Sequence, residues 1–178
     1  MTSADRGVRF DFYKNSKPVQ VSWTAAGSKI GWLAMDRNGD GAITSGWELF
    51  SNVTPQSGDP GERLGFKALS VFDQVRYGGD GDGWIDAGDE VFSRLRVWVD
   101  RNHDGMSQSG ELLTMAEAGI KAISARYEPD NWTDSFGNRF QSRARILWTG
   151  ANQRDRQGGT GERNRWAYDV ILVHGASK

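Results

Sequence analysis

The chain has 178 residues, a formal net charge of −1 and no cysteine. This suits one domain or two small closely packed ones and excludes disulfides, thiolate metal sites and cysteine nucleophiles. The near-neutral balance gives no global field for nucleic acid or an anionic membrane, and no apolar run approaches the ~20 residues of a membrane span.

Eight Trp and eight Phe argue against disorder. The opening MTSADRGVRF lacks the apolar core of a signal peptide. Residues 1–7 and 175–178 are expected to be flexible ends around a single domain over 8–174. "VRFDFYKNSKPVQVSW" (8–23) reads as a hairpin, two β-prone runs about a polar turn. "GWELFSN" is expected to begin a short helix, and 52–62 is a loop by composition. Leu64, Ala68, Leu69, Phe72 and Val75 have helical spacing, which predicts a helix over 62–75. "DEVFSRL" predicts a short helix, "RVWVD" a strand, and "ELLTMAEAGI" a helix stopped at Gly119. A β-rich part over 120–174 follows, with strands in "IKAISARYE", "NRFQSRARILWT" and "WAYDVILV" and a hairpin turn at "TDSFGN". The polar Arg- and Gly-rich stretch 150–165 is expected to be a mobile loop. The fold class expected is α+β, a compact domain of antiparallel strands and short helices attached to acidic loops.

Those loops carry the chemistry. Of the 23 Asp and Glu, 12 fall within 36–48 and 73–111, in Gly-rich turns. The loop 100–111 has Asp100, Asn102, Asp104, Gly105, Met106 and Glu111 at positions 1, 3, 5, 6, 7 and 12 of the twelve-residue EF-hand pattern. Four side chains and the Met106 carbonyl offer about six oxygens, the number calcium accepts, and a water near Gln108 completes the shell. The alternative is a capped polar turn. Loop 36–48 repeats the first half with Asp36, Asn38, Asp40 and the Ala42 carbonyl, but Trp47 holds the twelfth position and Glu48 arrives one residue late. Gly46 can absorb the extra residue, making Glu48 the closing ligand; otherwise the loop is a relic. Loop 73–90 places Asp80, Asp82, Trp84 and Asp89 at positions 3, 5, 7 and 12, but Gly78 stands at position 1. Asp73 fills that role if "QVRYG" bulges out. A fourth stretch, "DFYKNSK", keeps only Asp11 and Asn15 and is not expected to hold an ion.

The segments "LAMDRNGDGAITSGWELFSN", "GGDGDGWIDAGDEVFSRLRVWVDRNHDGMSQSGEL" and "AGIKAISARYE" resemble bacterial EF-hand-type calcium-binding domains of RTX-like and surface proteins. They are similar to the calcium-dependent self-processing modules of iron-regulated RTX proteins. The resemblance covers roughly 10–128 and implies pseudo-EF-hand loops, a secreted or surface setting, and a Glu one residue late in the first loop. It also implies an alternative activity, cleavage of an Asp-Pro bond by attack of the Asp side chain on its own carbonyl. Asp59-Pro60 is the only such pair, and it sits mid-chain, whereas the family's scissile bond lies at the module's start.

The function expected is therefore non-enzymatic: a monomeric structural or interaction module ordered by two or three calcium ions. His103 and His174 stand far apart with no zinc-ligand company. The Trp-rich strands are expected to pack the core, with a sugar- or partner-binding face as the alternative.

Overall fold

The computed structural model describes residues 1–149 and 166–175. The expected loop at 150–165 and the last three residues of the C-terminal end lie outside the described residues. The architecture is not the expected α+β one. It is mainly antiparallel β, in three sheets. One pairs β1 (Val8–Phe10) with β2 (Val19–Val21). A second has the order β3-β5-β6, from Trp32–Met35, Leu95–Trp98 and Leu112–Thr114. The third has the order β4-β7-β8-β9, from Trp84–Ile85, Ile120–Thr133, Arg139–Trp148 and Trp166–Ile171.

Among the described residues one α-helix forms, α1, over Gly65–Ser70. It buries Ala68 and Leu69 of the face the spacing predicts, together with Phe66, which lies outside that spacing, and Val75 of the predicted face is exposed, because the helical pattern breaks into 3-10 turns at Val71–Asp73 and Val75–Tyr77. So short a helix has little stability of its own and exists by packing. "DEVFSRL" is likewise a 3-10 turn, Glu90–Arg94. The helix expected from Glu111 is replaced by β6, because Leu112, Leu113 and Thr114 pair with Trp98, Val97 and Arg96 of β5. Cross-strand packing overrides local helix propensity here. The Thr114 N–H donates to the Glu117 carboxylate at 2.8 Å, which caps a turn instead of a helix. "GWELFSN" gives only a bridge between Leu49 and Ala34. Among the described residues no pair of α-helices flanks an acidic loop; the second loop runs only between the 3-10 turns Val71–Asp73 and Glu90–Arg94. β3 enters the first, and β5 and β6 flank the third, so the helix–loop–helix unit of an EF-hand is not formed.

Two cores result. Met35, Leu69, Ile85, Leu95, Met115 and Ile123 fill the space between α1 and the two larger sheets. Phe10, Val21, Trp23, Ile43, Leu49 and Trp98 fill a second core under the first hairpin. Trp23 and Trp98 are fully buried, whereas Trp47 and Trp132 are exposed. Residues 1–7 are tied to this second core by bonds between Thr2 and Trp23.

Asp169 of β9 fastens α1 to the sheet, accepting the Gly65 N–H at 2.7 Å. Burial pushes its carboxyl up from 3.8 to about 6, against the opposing pull of that bond. A raised carboxyl means that the folded state holds the proton more tightly than the unfolded chain. Its contribution is fully present below pH 3.8 and is lost as pH rises through about 6. Asp169→Asn keeps an oxygen for Gly65 and removes the titration. In chelator, urea midpoints should show the variant more stable than the parent at pH 7.5 by about 1–3 kcal/mol, with the gap closing by pH 4. A parent–variant difference that does not change between these pH values would refute this.

Candidate metal centres

All three acidic loops are built on one backbone template. The residue at position 1 caps the loop with its carboxylate, and the N–H at position 6 donates to it: Gly41 to Asp36 at 2.9 Å, Gly83 to Asp73 at 3.2 Å and Gly105 to Asp100 at 2.9 Å. The position-5 carboxylate accepts the N–H of position 7, from Ala42 to Asp40, Trp84 to Asp82 and Met106 to Asp104, each at 2.8 Å. Positions 4 and 6 have positive φ: Gly39 and Gly41, Gly81 and Gly83, His103 and Gly105. Glycine serves there because it adopts that conformation without steric cost. The "DFYKNSK" stretch takes the same shape. Lys14 and Ser16 have φ of 52° and 61°, the Ser16 N–H donates to Asp11 at 2.8 Å, and the Lys17 N–H donates to Asn15.

Asp73 reaches its place because Val75–Tyr77 loops out as a 3-10 turn and returns through Gly78 and Gly79. The Gly81 N–H donates to the Asp73 carbonyl at 2.8 Å. A Cβ on Gly79 would lie 2.2 Å from the Asp73 backbone, so this return needs glycine. In the first loop the extra residue is taken up at Gly46, whose N–H donates to the Asp11 carbonyl at 3.0 Å. A Cβ there would come within 2.5 Å of the Phe12 carbonyl oxygen.

Side chains converge in two of the loops. Asp36, Asp40 and Glu48 each bring a carboxylate oxygen within 4.8 Å of the others, and so do Asp73, Asp80 and Asp89. A cation with oxygens at ~2.3–2.6 Å separates opposite ligands by about 5 Å, so both spacings fit one ion. Glu48 and Asp89 are buried, and each divides its oxygens in the same way. Glu48 Oε2 accepts N–H bonds from Thr44 and Ser45, and Asp89 Oδ2 accepts one from Asp86 at 2.7 Å. Their other oxygens, Oε1 and Oδ1, are buried without a hydrogen-bond partner. A buried carboxylate oxygen without a donor is costly, and a cation among the three carboxylates removes that cost.

The electrostatics agree. Burial pushes Asp89 up, the Asp86 and Asp80 amides pull it down, and the like charges of Asp80 and Asp73 push it up again; the net is a raised carboxyl. In Asp36, backbone donors led by Gly41 and Gly39 outweigh burial and hold the carboxyl below its ordinary value. Asp104 is lowered in the same way, with Met106, Gln108 and Asn102 opposing burial.

The third loop, the closest match by spacing, is arranged differently. Asp100, Asp104 and Glu111 form no third convergent group. Asp100 accepts four bonds, from the His103, Asp104 and Gly105 amides and from Trp23 Nε1 at 2.8 Å, filling the roughly four lone-pair positions of a carboxylate. Glu111 accepts from the Arg101 and Gln108 amides and from Trp98 Nε1. Asn102 donates to Asp104 and Gln108, as Asn38 does to Asp40. Asp82 and the backbones of Ala42, Trp84 and Met106 sit at their template positions, and Asp82 lies outside the carboxylate group of its loop.

Several partners have no signal in the local spacing. Trp23 meets Asp100 across 77 residues of chain. His103 is engaged away from the loop's carboxylates: its Nδ1 and Nε2 lie 2.8 and 2.7 Å from the Thr24 and Arg6 carbonyl oxygens, placing the N-terminal segment against the third loop. Ser107 Oγ accepts the Ile43 N–H at 2.6 Å and donates to the Ile43 carbonyl, joining the first and third loops at their eighth positions.

An antiparallel β protein carrying one repeated, carboxylate-lined loop is the class these features define. The chain belongs to the SPM domain family, whose family model matches residues 1–157. It is 36% identical over 132 residues to the iron-regulated protein FrpA of Neisseria meningitidis serogroup C, covering 74% of this chain and 11% of that protein. The chain thus corresponds to a small segment of a much larger bacterial protein.

Proposed function

We propose that this chain is a calcium-binding structural module of a larger secreted or surface protein, ordered by two or three bound calcium ions. The observation that carries this reading is the pair of buried, unpartnered carboxylate oxygens of Glu48 and Asp89, each inside a group of three converging carboxylates. The donor atoms are oxygens only, which suits a hard cation. Calcium supplies positive charge that cancels carboxylate repulsion in loops the backbone has already shaped. The small share of FrpA that the chain matches supports a module in a longer polypeptide.

Calorimetric titration with calcium tests this directly. Glu48→Gln and Asp89→Asn should each remove one site, cutting that site's affinity at least tenfold and leaving the other intact. Glu111→Gln should change total binding least, because the Glu111 oxygens already have backbone and indole donors. Full stoichiometry and affinity in both Glu48→Gln and Asp89→Asn would sink the proposal.

Membership of the SPM family favours a second reading, calcium-dependent self-processing. Within this chain it would act at Asp59-Pro60, where Asp59 is exposed, caps the turn Pro60–Glu62 and accepts the Glu62 N–H on the carbonyl to be attacked. Denaturing gels of protein held with and without calcium separate the readings. Two fragments that vanish in Asp59→Asn would establish processing; one intact band in both conditions would exclude it at this bond.

A further inference from the structure

The first and third loops end on the same residue type but use it differently. In the third loop Glu111 arrives at position 12, and its Oε1 accepts the amide of position 2, Arg101, at 2.9 Å. In the first loop Glu48 comes one residue late. Its Oε2 takes the Thr44 and Ser45 amides, and its Oε1 is left buried with no donor. A donorless buried oxygen is costly in the empty loop, so this late register has to be held from outside. Three contacts do so, all at the extra residue. The Gly46 N–H donates to the Asp11 carbonyl at 3.0 Å. The exposed Lys14 lies 5.0 Å over the Trp47 ring, which is turned outward. Arg37 Nε donates to the Trp47 carbonyl at 2.8 Å, and its guanidinium lies 5.4 Å over the Phe50 ring. Of the side chains involved, Arg37 alone is half-buried and grips the backbone directly before Glu48.

Resting on the calcium reading above, we infer that Arg37 is a positioning residue, whose bond to the Trp47 carbonyl holds the first loop in the register that presents Glu48 Oε1 to the cation. Calcium takes its oxygens at ~2.3–2.6 Å, so a closing carboxylate that slides with its backbone is lost as a ligand. Groups that orient a metal ligand from behind weigh heavily on affinity for this reason. Electrostatics alone predicts the opposite sign. The Arg37 charge interacts with that of Glu48, so by its field it competes with the ion. If the field were its whole contribution, removing the charge would tighten calcium binding. If Arg37 positions Glu48, removing the donor loosens it.

Two variants separate donor from charge. Arg37→Met keeps an apolar stem over Phe50 and removes both. Arg37→Gln removes the charge but carries an N–H donor at the same place along the side chain as arginine Nε. Calcium is titrated calorimetrically into the whole chain, with Glu48→Gln marking which site is the first. Arg37→Met should lose roughly ten- to a hundredfold at the first site and nothing at the second, and Arg37→Gln should bind close to the parent. In chelator, hydrogen exchange at the Thr44 and Ser45 amides, which Glu48 accepts, should quicken in Arg37→Met and stay parental in Arg37→Gln. A parent that binds no ion sinks the calcium reading itself, and the exchange rates then judge the clamp alone. First-site affinity in Arg37→Met equal to or tighter than the parent's, equal losses in the two variants, a loss shared by both sites, or parental exchange at Thr44 and Ser45 would each overturn the role given to Arg37.

Discussion

Replacing chelator with millimolar calcium should raise the melting temperature by roughly 10–20 °C. One ion that binds the folded but hardly the unfolded chain adds ~2.7 kcal/mol when free calcium is about 100 times the dissociation constant, and two such sites add about 5. For a chain of this size each kcal/mol is worth roughly 2–4 °C. The physical source is the pair of carboxylate groups at Asp36, Asp40, Glu48 and at Asp73, Asp80, Asp89, which repel without a cation and hardly exist as groups in the unfolded chain. Scanning calorimetry at fixed pH checks it, and Glu48→Gln should lose about half the gain. An unchanged melting temperature in the parent would remove calcium as a structural ion.

The second large effect is expected at Trp23. The ring is fully buried, packed 4.8 Å from Trp32, 5.3 Å from Phe10 and 5.4 Å from Trp98. Trp23→Ala should cost about 3–5 kcal/mol in chelator through the lost burial of the ring and the cavity it leaves. Trp23→Phe refills most of that space but withdraws the indole N–H from Asp100, itself 2% exposed, and should still cost about 1–3 kcal/mol. Urea midpoints of the two variants separate packing from hydrogen bonding. A Phe variant as stable as the parent would show that the indole bond to the third loop contributes nothing net.

The chemistry of the loops was more legible than the frame that carries them. Asp at position 1, an oxygen at 5 and Gly at 6 are local requirements, met within a few residues in the first and third loops, so spacing alone located those two, while the second showed only its positions 3, 5 and 6. The late Glu48 and the looped-out Asp73 were legible as possibilities because Gly46, Gly78 and Gly79 mark where the chain can bend. The helices were misread for the opposite reason. "ELLTMAEAG" has helical composition, but its fate is set by β5, which Leu112 and Leu113 pair with from across the third loop. The different character of the third loop was equally hidden, since it depends on the indoles of Trp23 and Trp98, placed by the second core and invisible to loop spacing.

The stretch from Asp11 to Lys17 holds the template's shape with Tyr13 where an oxygen ligand belongs and Ser16 in place of glycine. Contour and charge are therefore separable in this architecture. An aspartate that gathers its own amides, followed by two left-handed residues, is enough to draw the outline, and the remaining oxygens decide whether anything fills it. In such a design the side chains set which oxygens a loop offers, while the backbone outline and the surrounding strands stay as they are.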